Sequence, residues 1–385
     1  MIPRDIQQKL LHLSGKFPVI SLTGPRQSGK TTLLKETFPE YLYTSLEEPG
    51  TRMKAESDPR RFLASAPKMI IDEIQRIPDL FSYIQTITDE TGRVGHYIIS
   101  GSQSFLLNEK ISQSLAGRVA ILHLMPFSHA ELSNYGLQVA SVEEMIYKGF
   151  YPRLYDRDID PQDFYPSYIQ TYIERDVRLL QNVHNLNLFV RFMKLCAGRT
   201  GQLLNFSSLA HDSGVSVNTA KSWISVLETS FIVFLLQPHH KNFNKRLVKM
   251  PKLYFYDTGL ASSLLGISSV EQIDSHYQFG ALFENFIIAE LLKKRFHNGE
   301  RSNLYFWRDH KGAEIDLIIE QFDSLIPIEI KSSRTFSQSF FSGLNYWRKI
   351  SGVQDNQQFV IYGGNEIYET NNGMLLGWNE LEIIP

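Results

Sequence analysis

Short apolar runs separated by helical stretches mark the first third of the chain. Residues 17–22, 41–46 and 96–102 are such runs, and residues 68–75 and 119–124 repeat the pattern. Runs of four to eight apolar residues are typical of strands that are buried on both faces of a sheet. Their alternation with helices predicts a parallel α/β sheet, in which ligands bind at the carboxyl ends of the strands.

The turn after the first apolar run carries the strongest chemical signal. In SLTGPRQSGKTT the pattern G-x-x-x-x-G-K-[ST] is complete. Glycines let backbone N–H groups surround phosphate oxygens at the start of a helix. The alternative interpretation of this stretch is a glycine loop that only forms a turn. We expect Lys30 to neutralise the β- and γ-phosphates and Thr31 to ligate Mg²⁺. ATP and Mg²⁺ are thus the predicted cofactors, held by Gly24, Pro25, Arg26, Gln27, Ser28, Gly29, Lys30, Thr31 and Thr32.

Two adjacent acids, Asp72 and Glu73, follow the apolar run that begins near residue 68. Adjacent acids are common on surfaces, but acids directly after a buried strand and downstream of a phosphate loop favour a catalytic role. Asp72 is predicted to orient water around Mg²⁺, and Glu73 to act as the general base on the attacking water.

Two further catalytic candidates follow in the same third. Ser102 is the predicted sensor of the γ-phosphate, with Ser100 as second choice, and the alternative is a glycine turn closed by serines. Arg118 precedes the run 119–124. It is either an arginine finger for a neighbouring subunit or a residue that caps or bridges structure.

Residues 205–227 follow the pattern of a helix-turn-helix. Ser213 and Gly214 form the predicted turn, and Ser216 caps a second helix. We expect Val217, Ala220, Ile224 and Leu227 on the inner face of this helix. Its outer face would present Asn218, Thr219, Lys221 and Ser222, whose side chains can contact bases or phosphates.

A basic loop follows the helix-turn-helix, as in a wing that lies on DNA. It contains Lys241, Lys245, Arg246, Lys249 and Lys252. Nucleic acid is therefore a predicted partner through Asn218, Lys221, Lys245 and Arg246. The alternative is a winged-helix fold that serves only as a structural adaptor.

The stretch GAEIDLIIEQFDSLIPIEIKSS alternates apolar and polar residues and predicts a β-hairpin. Glu329 and Lys331 are two residues apart and share one face, and Asp316 can lie near them on the preceding strand. Two carboxylates can hold Mg²⁺ and the lysine can stabilise developing charge, with Glu284 as a further acid from a preceding helix. The alternative is an ordinary charged hairpin.

Bulk properties limit the class of protein. The chain has 385 residues, a formal net charge of −2 and a single cysteine, Cys196. We expect a cytoplasmic protein, because a disulfide framework and an apolar run of about 20 residues are both missing from the sequence. The predicted domains are an ATPase domain (1–140), a helical and winged-helix domain (141–250) and a nuclease-like domain (251–385).

Together these motifs resemble a prokaryotic family of predicted ATPases. Its members join an AAA-type P-loop domain, a winged helix and a C-terminal domain of unknown function with a PD-(D/E)xK, restriction-endonuclease-like fold. The resemblance rests on GPRQSGKTT, MIIDEIQRIPDL, ISGSQS with SLAGR, YIERDV, YDTGL and GAEIDL with IEIKSS. It implies ATP with Mg²⁺ for the first domain and a nuclease for the last, although Glu314-Ile315 departs from the proline expected near the first acid.

Two functions follow as hypotheses. The first is an ATPase whose nucleotide cycle moves a DNA-binding, nuclease-like module. The second is a nucleotide-gated switch with an inactive C-terminal site that acts through protein partners, and a homo-oligomer is compatible with either hypothesis.

Overall fold

The computed structural model describes residues 2–102, 114–137, 141–172, 185–240, 247–322, 324–352 and 357–385. The chain divides into two compact units. The first comprises Met1–Phe127, Thr229–Phe231 and Lys293–Arg301, and the second comprises Ser128–Glu228, Ile232–Leu292 and Ser302–Pro385.

The first unit is built on a parallel sheet with the strand order β2-β3-β4-β1-β5. Its strands are β1 Val19–Thr23, β2 Leu42–Ser45, β3 Met69–Asp72, β4 Tyr97–Gly101 and β5 Val119–His123. The predicted parallel α/β fold is confirmed. Strand β4 lies between β1 and β3, so the ends of three strands that carry candidate chemistry are neighbours.

Apolar residues cover both faces of this sheet. Successive strand residues point to opposite faces, so Ile70 and Ile98 join one core while Ile71 and Ile99 join the other. Burial on both faces explains why these strands are continuous apolar runs. In the described part of the unit up to residue 127, the helices are α1 Ile6–Ser14, α2 Lys30–Thr37, α3 Pro49–Ser57, α4 Pro59–Leu63 and α5 Leu80–Thr91.

The second unit begins with helices and ends with a mixed sheet. The described helices before the sheet are α6 His129–Asn134, α7 Val142–Lys148, α8 Pro152–Asp156, α9 Pro161–Tyr172, α10 Leu186–Ala197, α11 Phe206–Ser213 and α12 Val217–Thr229. Helices α13 Thr258–Leu264, α14 Val270–Ser275, α15 Phe279–His297 and α16 Ser342–Ser351 follow later in the chain. Helix α15 ends in residues that belong to the first unit.

The sheet of the second unit has eight described strands in the order β12-β13-β11-β10-β9-β8-β6-β7. They are β6 Val233–Pro238, β7 Lys252–Phe255, β8 Leu304–Arg308, β9 Glu314–Gln321, β10 Ser324–Lys331, β11 Phe359–Tyr362, β12 Tyr368–Thr370 and β13 Gly373–Gly377. The expected domain boundary at residue 250 falls between the paired strands β6 and β7. The division of this unit into winged-helix and nuclease-like domains stays a prediction.

No helix in the described ranges combines the length and the apolar character that crossing a membrane requires.

Candidate active site

The phosphate-loop residues connect the end of β1 to the start of α2. Gly29 caps the helix with a left-handed φ of 92°. Gly24 has a φ of 153°, and a Cβ built there would lie 2.0 Å from the carbonyl oxygen of Leu124. Leu124 in turn donates its N–H to the carbonyl of Thr23 at 2.7 Å. Only glycine fits this close approach between the loop and the segment after β5.

Asp72 receives hydrogen bonds from three side chains at the carboxyl end of the sheet. Thr31 donates to Oδ2 at 3.0 Å, Tyr43 to the same oxygen at 2.8 Å, and Ser100 to Oδ1 at 2.6 Å. These contacts bring together residues from four parts of the first 100 positions. The Thr31 hydroxyl and the Asp72 carboxylate are hard oxygen donors in contact with each other, a donor set that fits Mg²⁺.

Lys30 is buried, and its Nζ donates to the carbonyl oxygens of Gly24 at 2.9 Å and Pro25 at 2.7 Å. Within the same loop, Gln27 Oε1 and Ser28 Oγ are buried without a hydrogen-bond partner among the described residues. A cation, a helix N-terminus and the Ser28 hydroxyl, which can donate a hydrogen bond, therefore lie in one loop. This arrangement fits an anionic phosphate group.

Glu73 occupies the left-handed region of backbone space with a φ of 56°. Such a conformation is uncommon for a residue with a side chain and clusters at functional sites. Its carboxylate accepts a hydrogen bond from Gln75 Nε2. Burial raises the pKa of Glu73, whereas the positive charge of Lys30 opposes that rise. A carboxyl with a raised pKa is better matched to proton transfer near neutral pH.

The structure places the two serine candidates differently. Ser100 contacts Asp72 directly, as described above. Ser102 is buried, but its Oγ has no hydrogen-bond partner among the described residues, and residues 103–113 lie outside them. Ser100, the second choice from the sequence, therefore has the contact expected of a residue at the site, and the sensor role of Ser102 stays a prediction.

Arg118 is bound to Asp89 on helix α5, with Nη2 to Oδ2 at 2.9 Å. It precedes β5 and thus lies at the amino end of a parallel strand, opposite to the edge that carries Asp72. Arg118 therefore bridges two elements of the first unit, which is the alternative to an arginine finger that the sequence left open. An additional role as a finger for another subunit stays a prediction.

Two contributors to the first site were not among the sequence candidates. Tyr43 lies on β2, and burial followed by the charge of Asp72 raises the pKa of its hydroxyl. Gln75 lies two residues after Glu73 and contacts it. Because Gln75 is only two residues from Glu73, the sequence alone could have identified it as a candidate. Nothing local distinguished Tyr43, because only the pairing of β2 with β3 brings it to Asp72.

In the second unit, the hairpin residues Asp316, Glu329 and Lys331 come together. Lys331 Nζ lies 2.5 Å from Glu329 Oε2 and 3.3 Å from Asp316 Oδ2, and the N–H of Ile330 donates to Asp316 at 2.8 Å. Burial, followed by the charge of Asp316, raises the pKa of Glu329 to about 8, whereas Lys331 opposes the rise. Their oxygen atoms and ammonium group form a cluster on one face of the hairpin.

Glu284 has a different environment from the hairpin acids. It accepts hydrogen bonds from Lys252 Nζ at 3.0 Å and from the hydroxyl of Tyr254. Burial raises the pKa of Glu284, and the charge of Asp316 adds to this rise. Among the described residues, Glu284, Asp316 and Glu329 do not form a set whose oxygen atoms all lie within 4.8 Å of one another. Lys252 contacts Glu284, and Lys331 contacts the two hairpin acids.

The expectation that Lys252 belongs to an exposed basic wing is wrong. Lys252 is 3 % exposed on strand β7 and forms ion pairs with Glu284 and Glu314. Burial lowers the pKa of Lys252, but these acids outweigh it and raise the pKa. A lysine inside a sheet with two acidic partners is a structural cation rather than a surface contact for DNA.

The helix-turn-helix prediction is partly tested by the geometry of α11 and α12. Gly214 has a φ of 76° at the turn, and Ser216 Oγ accepts the N–H of Thr219 at 3.1 Å. Ala220, Ile224 and Leu227 are buried as expected, whereas Asn218 and Lys221 are exposed. Val217 was expected inside but is 38 % exposed, because it lies in the first turn of the helix. Lys241, Lys245 and Arg246 of the basic loop lie outside the described residues, as do residues 173–177 of the YIERDV motif.

Comparisons with known proteins assign similarity along most of the chain. Residues 16–133 match an AAA domain, residues 139–271 a domain of unknown function (DUF8612), and residues 279–381 a second domain of unknown function (DUF4143). The uncharacterized proteins Mb2031c of Mycobacterium bovis and Rv2008c of Mycobacterium tuberculosis are each 32% identical over 344 residues. That alignment spans 87% of this chain and 75% of each relative.

A solved structure also resembles the chain. The Walker-type ATPase PABY2304 of Pyrococcus abyssi superposes with a TM-score of 0.47 and 14% sequence identity, over 69% of this chain and 96% of that one.

Proposed function

Because this chain belongs to the same family as Rv2008c and Mb2031c and has an AAA-type P-loop fold in its first unit, we propose that it binds and hydrolyses ATP with Mg²⁺. The observation that carries this proposal is the contact of Thr31 and Ser100 with Asp72. Strand order alone brings the phosphate loop, the acid and the serine to one edge of the sheet.

Each side chain of this edge has a defined task in the proposal. Thr31 and Asp72 would hold Mg²⁺, which when bound supplies positive charge to the phosphate oxygens. Lys30 and the backbone N–H groups of the loop bind and orient the phosphates. Glu73 takes a proton from the attacking water, and Gln75 orients the carboxylate of Glu73.

The test compares steady-state ATP turnover of the full chain with that of Lys30→Ala and Glu73→Gln. We expect Lys30→Ala to lose nucleotide affinity and Glu73→Gln to keep it while its turnover falls by about 10²- to 10⁴-fold. Lys54→Ala, at an exposed lysine of α3, is the matched control and should behave as the wild type. Unchanged hydrolysis in both site variants would refute the assigned site.

The second unit favours an additional function, a metal-dependent nuclease-like module. The cluster of Asp316, Glu329 and Lys331 supports it, since two carboxylates can hold Mg²⁺ and the lysine can stabilise developing charge. The residues fit a metal only if Lys331 leaves one of its carboxylate partners, because its ammonium now contacts both. The competing proposal is a nucleotide-gated switch in which this cluster is inert and the partner is a protein.

A plasmid-cleavage assay with Mg²⁺ or Mn²⁺ separates these two proposals. Asp316→Ala and Lys331→Ala should each abolish cleavage, whereas Glu369→Gln, at an exposed acid on β12, should not. Absence of cleavage by the wild type favours the switch. Cleavage that survives both site substitutions would indicate a contaminating enzyme or another site.

DNA contact through helix α12 is the last part of the proposal. Asn218 and Lys221 are exposed on its first turns, where a recognition helix presents side chains to a groove. Fluorescence anisotropy with duplex DNA at low salt should detect binding, and Lys221→Ala should weaken it and reduce its salt dependence. Lys194→Ala, an exposed lysine on α10, is the control. No binding by the wild type at low salt would exclude this role.

A further inference from the structure

Arg4, near the start of the chain, is buried with 5 % exposure and reaches the phosphate loop. Its Nη1 donates to the carbonyl oxygen of Ser28 at 2.9 Å. Its Nη2 donates to the carbonyls of Met125 at 2.7 Å and Pro126 at 3.4 Å. The guanidinium carbon also lies 4.7 Å from the centre of the Phe127 ring. One side chain thus joins the loop to the segment that follows β5.

The contact with Ser28 fixes the direction of a peptide group in the loop. A trans peptide is planar, so its carbonyl and the next N–H point in opposite directions. Because the carbonyl of Ser28 is turned towards Arg4, the N–H of Gly29 is turned away from it. Gly29 is the cap of α2, and its N–H belongs to the set of loop donors that a phosphate would meet.

The contacts with Met125 and Pro126 fix the segment after β5, which packs against the same loop. The preceding residue, Leu124, approaches Gly24 so closely that no Cβ fits between them. Guanidinium has a rigid planar fork of donors, and it can therefore hold two segments at a set separation. A lysine has a single ammonium and cannot reproduce that geometry.

We propose that Arg4 is a positioning residue of the phosphate loop, which holds the loop amides in the orientation that binds the nucleotide phosphates. Arg4 lies outside residues 16–133, which match the AAA domain. The inference rests on the proposed ATPase function. It adds a determinant from the N-terminal segment to a loop whose other residues follow from its own motif.

The experiment uses the full chain with Arg4→Gln and Arg4→Lys, and Arg61→Gln as a control at an exposed arginine of α4. Binding of a fluorescent ADP analogue with Mg²⁺ is titrated, and KM and kcat for ATP and the melting temperature are measured. We expect Arg4→Gln to raise the dissociation constant and KM by about ten- to a hundredfold, the loss typical of hydrogen bonds to a charged group. Its kcat should change by less than about threefold, because the loop contacts ground state and transition state alike.

Arg4→Lys keeps the charge and carries the test if Arg4→Gln does not fold. It should raise KM, although less than Arg4→Gln, because one ammonium reaches only part of the acceptors. A lower melting temperature with unchanged KM and dissociation constant in the folded variants would overturn the inference and leave Arg4 a purely structural residue. Failure of the wild type itself to bind the analogue would instead refute the proposed function.

Discussion

The carboxylates of Asp72 and Glu228 lie in different environments. Asp72 accepts hydrogen bonds from Thr31, Tyr43 and Ser100, so its charge is compensated by donors. Glu228 at the end of α12 is half-buried, and this burial raises the pKa of its carboxyl to about 7. Three donors therefore support the carboxylate of Asp72, whereas the raised pKa of Glu228 leads us to expect a free energy of unfolding that depends on pH.

The sign of this dependence follows from proton binding. Between the ordinary pKa of 4.5 and the folded value of about 7, the folded chain binds more protons at Glu228 than the unfolded chain does. Raising the pH across this window therefore destabilises the fold. We expect Glu228→Gln to be more stable than the wild type at pH 8, by on the order of 1 to 3 kcal/mol after allowance for partial exposure. Near pH 4.5 this difference should vanish.

Urea denaturation at the two pH values checks the prediction through the shift of the midpoint. Glu56→Gln, at an exposed acid of α3, should show no pH-dependent difference from the wild type. Equal midpoints for Glu228→Gln and the wild type at pH 8 would contradict the raised pKa.

At the scale of elements, the phosphate loop is held from outside by its neighbours. The end of β1 is bonded to Leu124 after β5, and Gly24 makes their close contact possible. Thr23 Oγ1 also lies 2.7 Å from Nδ1 of His123, the last residue of β5. Strand β5 and the residue that follows it thus hold the start of the loop, which the loop motif in the sequence does not convey.

The close approach of Leu124, the residue after β5, to Gly24 gives a prediction for Gly24→Ala. The new Cβ would lie 2.0 Å from the carbonyl oxygen of Leu124, so the backbone must shift. We expect the variant to lose nucleotide binding by at least about a hundredfold and to unfold at a lower temperature. Isothermal titration with Mg-ADP and a thermal melt measure both effects.

Gly92→Ala is the matched control for the backbone conformation. Gly92 also has a positive φ, of 61°, but no heavy atom lies within 4 Å of its added Cβ. It should cost roughly 1 to 2 kcal/mol from backbone strain alone and leave nucleotide affinity unchanged. Similar nucleotide affinities for the two variants would mean that the close contact has no role.

At the scale of the whole molecule, the chain consists of two compact units, and only the first contains the phosphate loop. The second unit brings its own charged cluster from β7, α15 and the hairpin β9–β10. Each unit therefore gathers candidate chemistry from residues far apart in sequence.

Nucleotide binding should stabilise the first unit, which contains the phosphate loop, by mass action. Free Mg-ADP at about 100 times its dissociation constant adds about 2.7 kcal/mol to the free energy of unfolding of the structure that binds it. We expect a concentration-dependent rise in melting temperature in differential scanning calorimetry. Lys30→Ala should abolish the rise, and Lys54→Ala should keep it. A melting temperature that does not respond in the wild type would argue against a nucleotide site.

The hydrophobic pattern and the local motifs of the sequence by themselves determine the parallel sheet of the first unit and the position of its phosphate loop. Apolar runs predicted the parallel sheet because strands buried on both faces need apolar residues throughout. The phosphate loop and the two acids at the end of β3 were readable because each motif depends on residues close together in the chain. The two-residue period of a strand likewise predicted that Glu329 and Lys331 share one face of the hairpin, with Asp316 near them on the preceding strand.

Tertiary structure decided which of the remaining candidates meet. The position of β4 between β1 and β3 gives Ser100 its contact with Asp72, and strand pairing brings Tyr43 there as well. Folding also placed Lys252 inside a sheet, where the sequence had suggested a basic surface. These outcomes depend on strand order and on contacts between distant residues. Local patterns fix neither of them, because a residue's partner across a sheet is chosen by the fold as a whole.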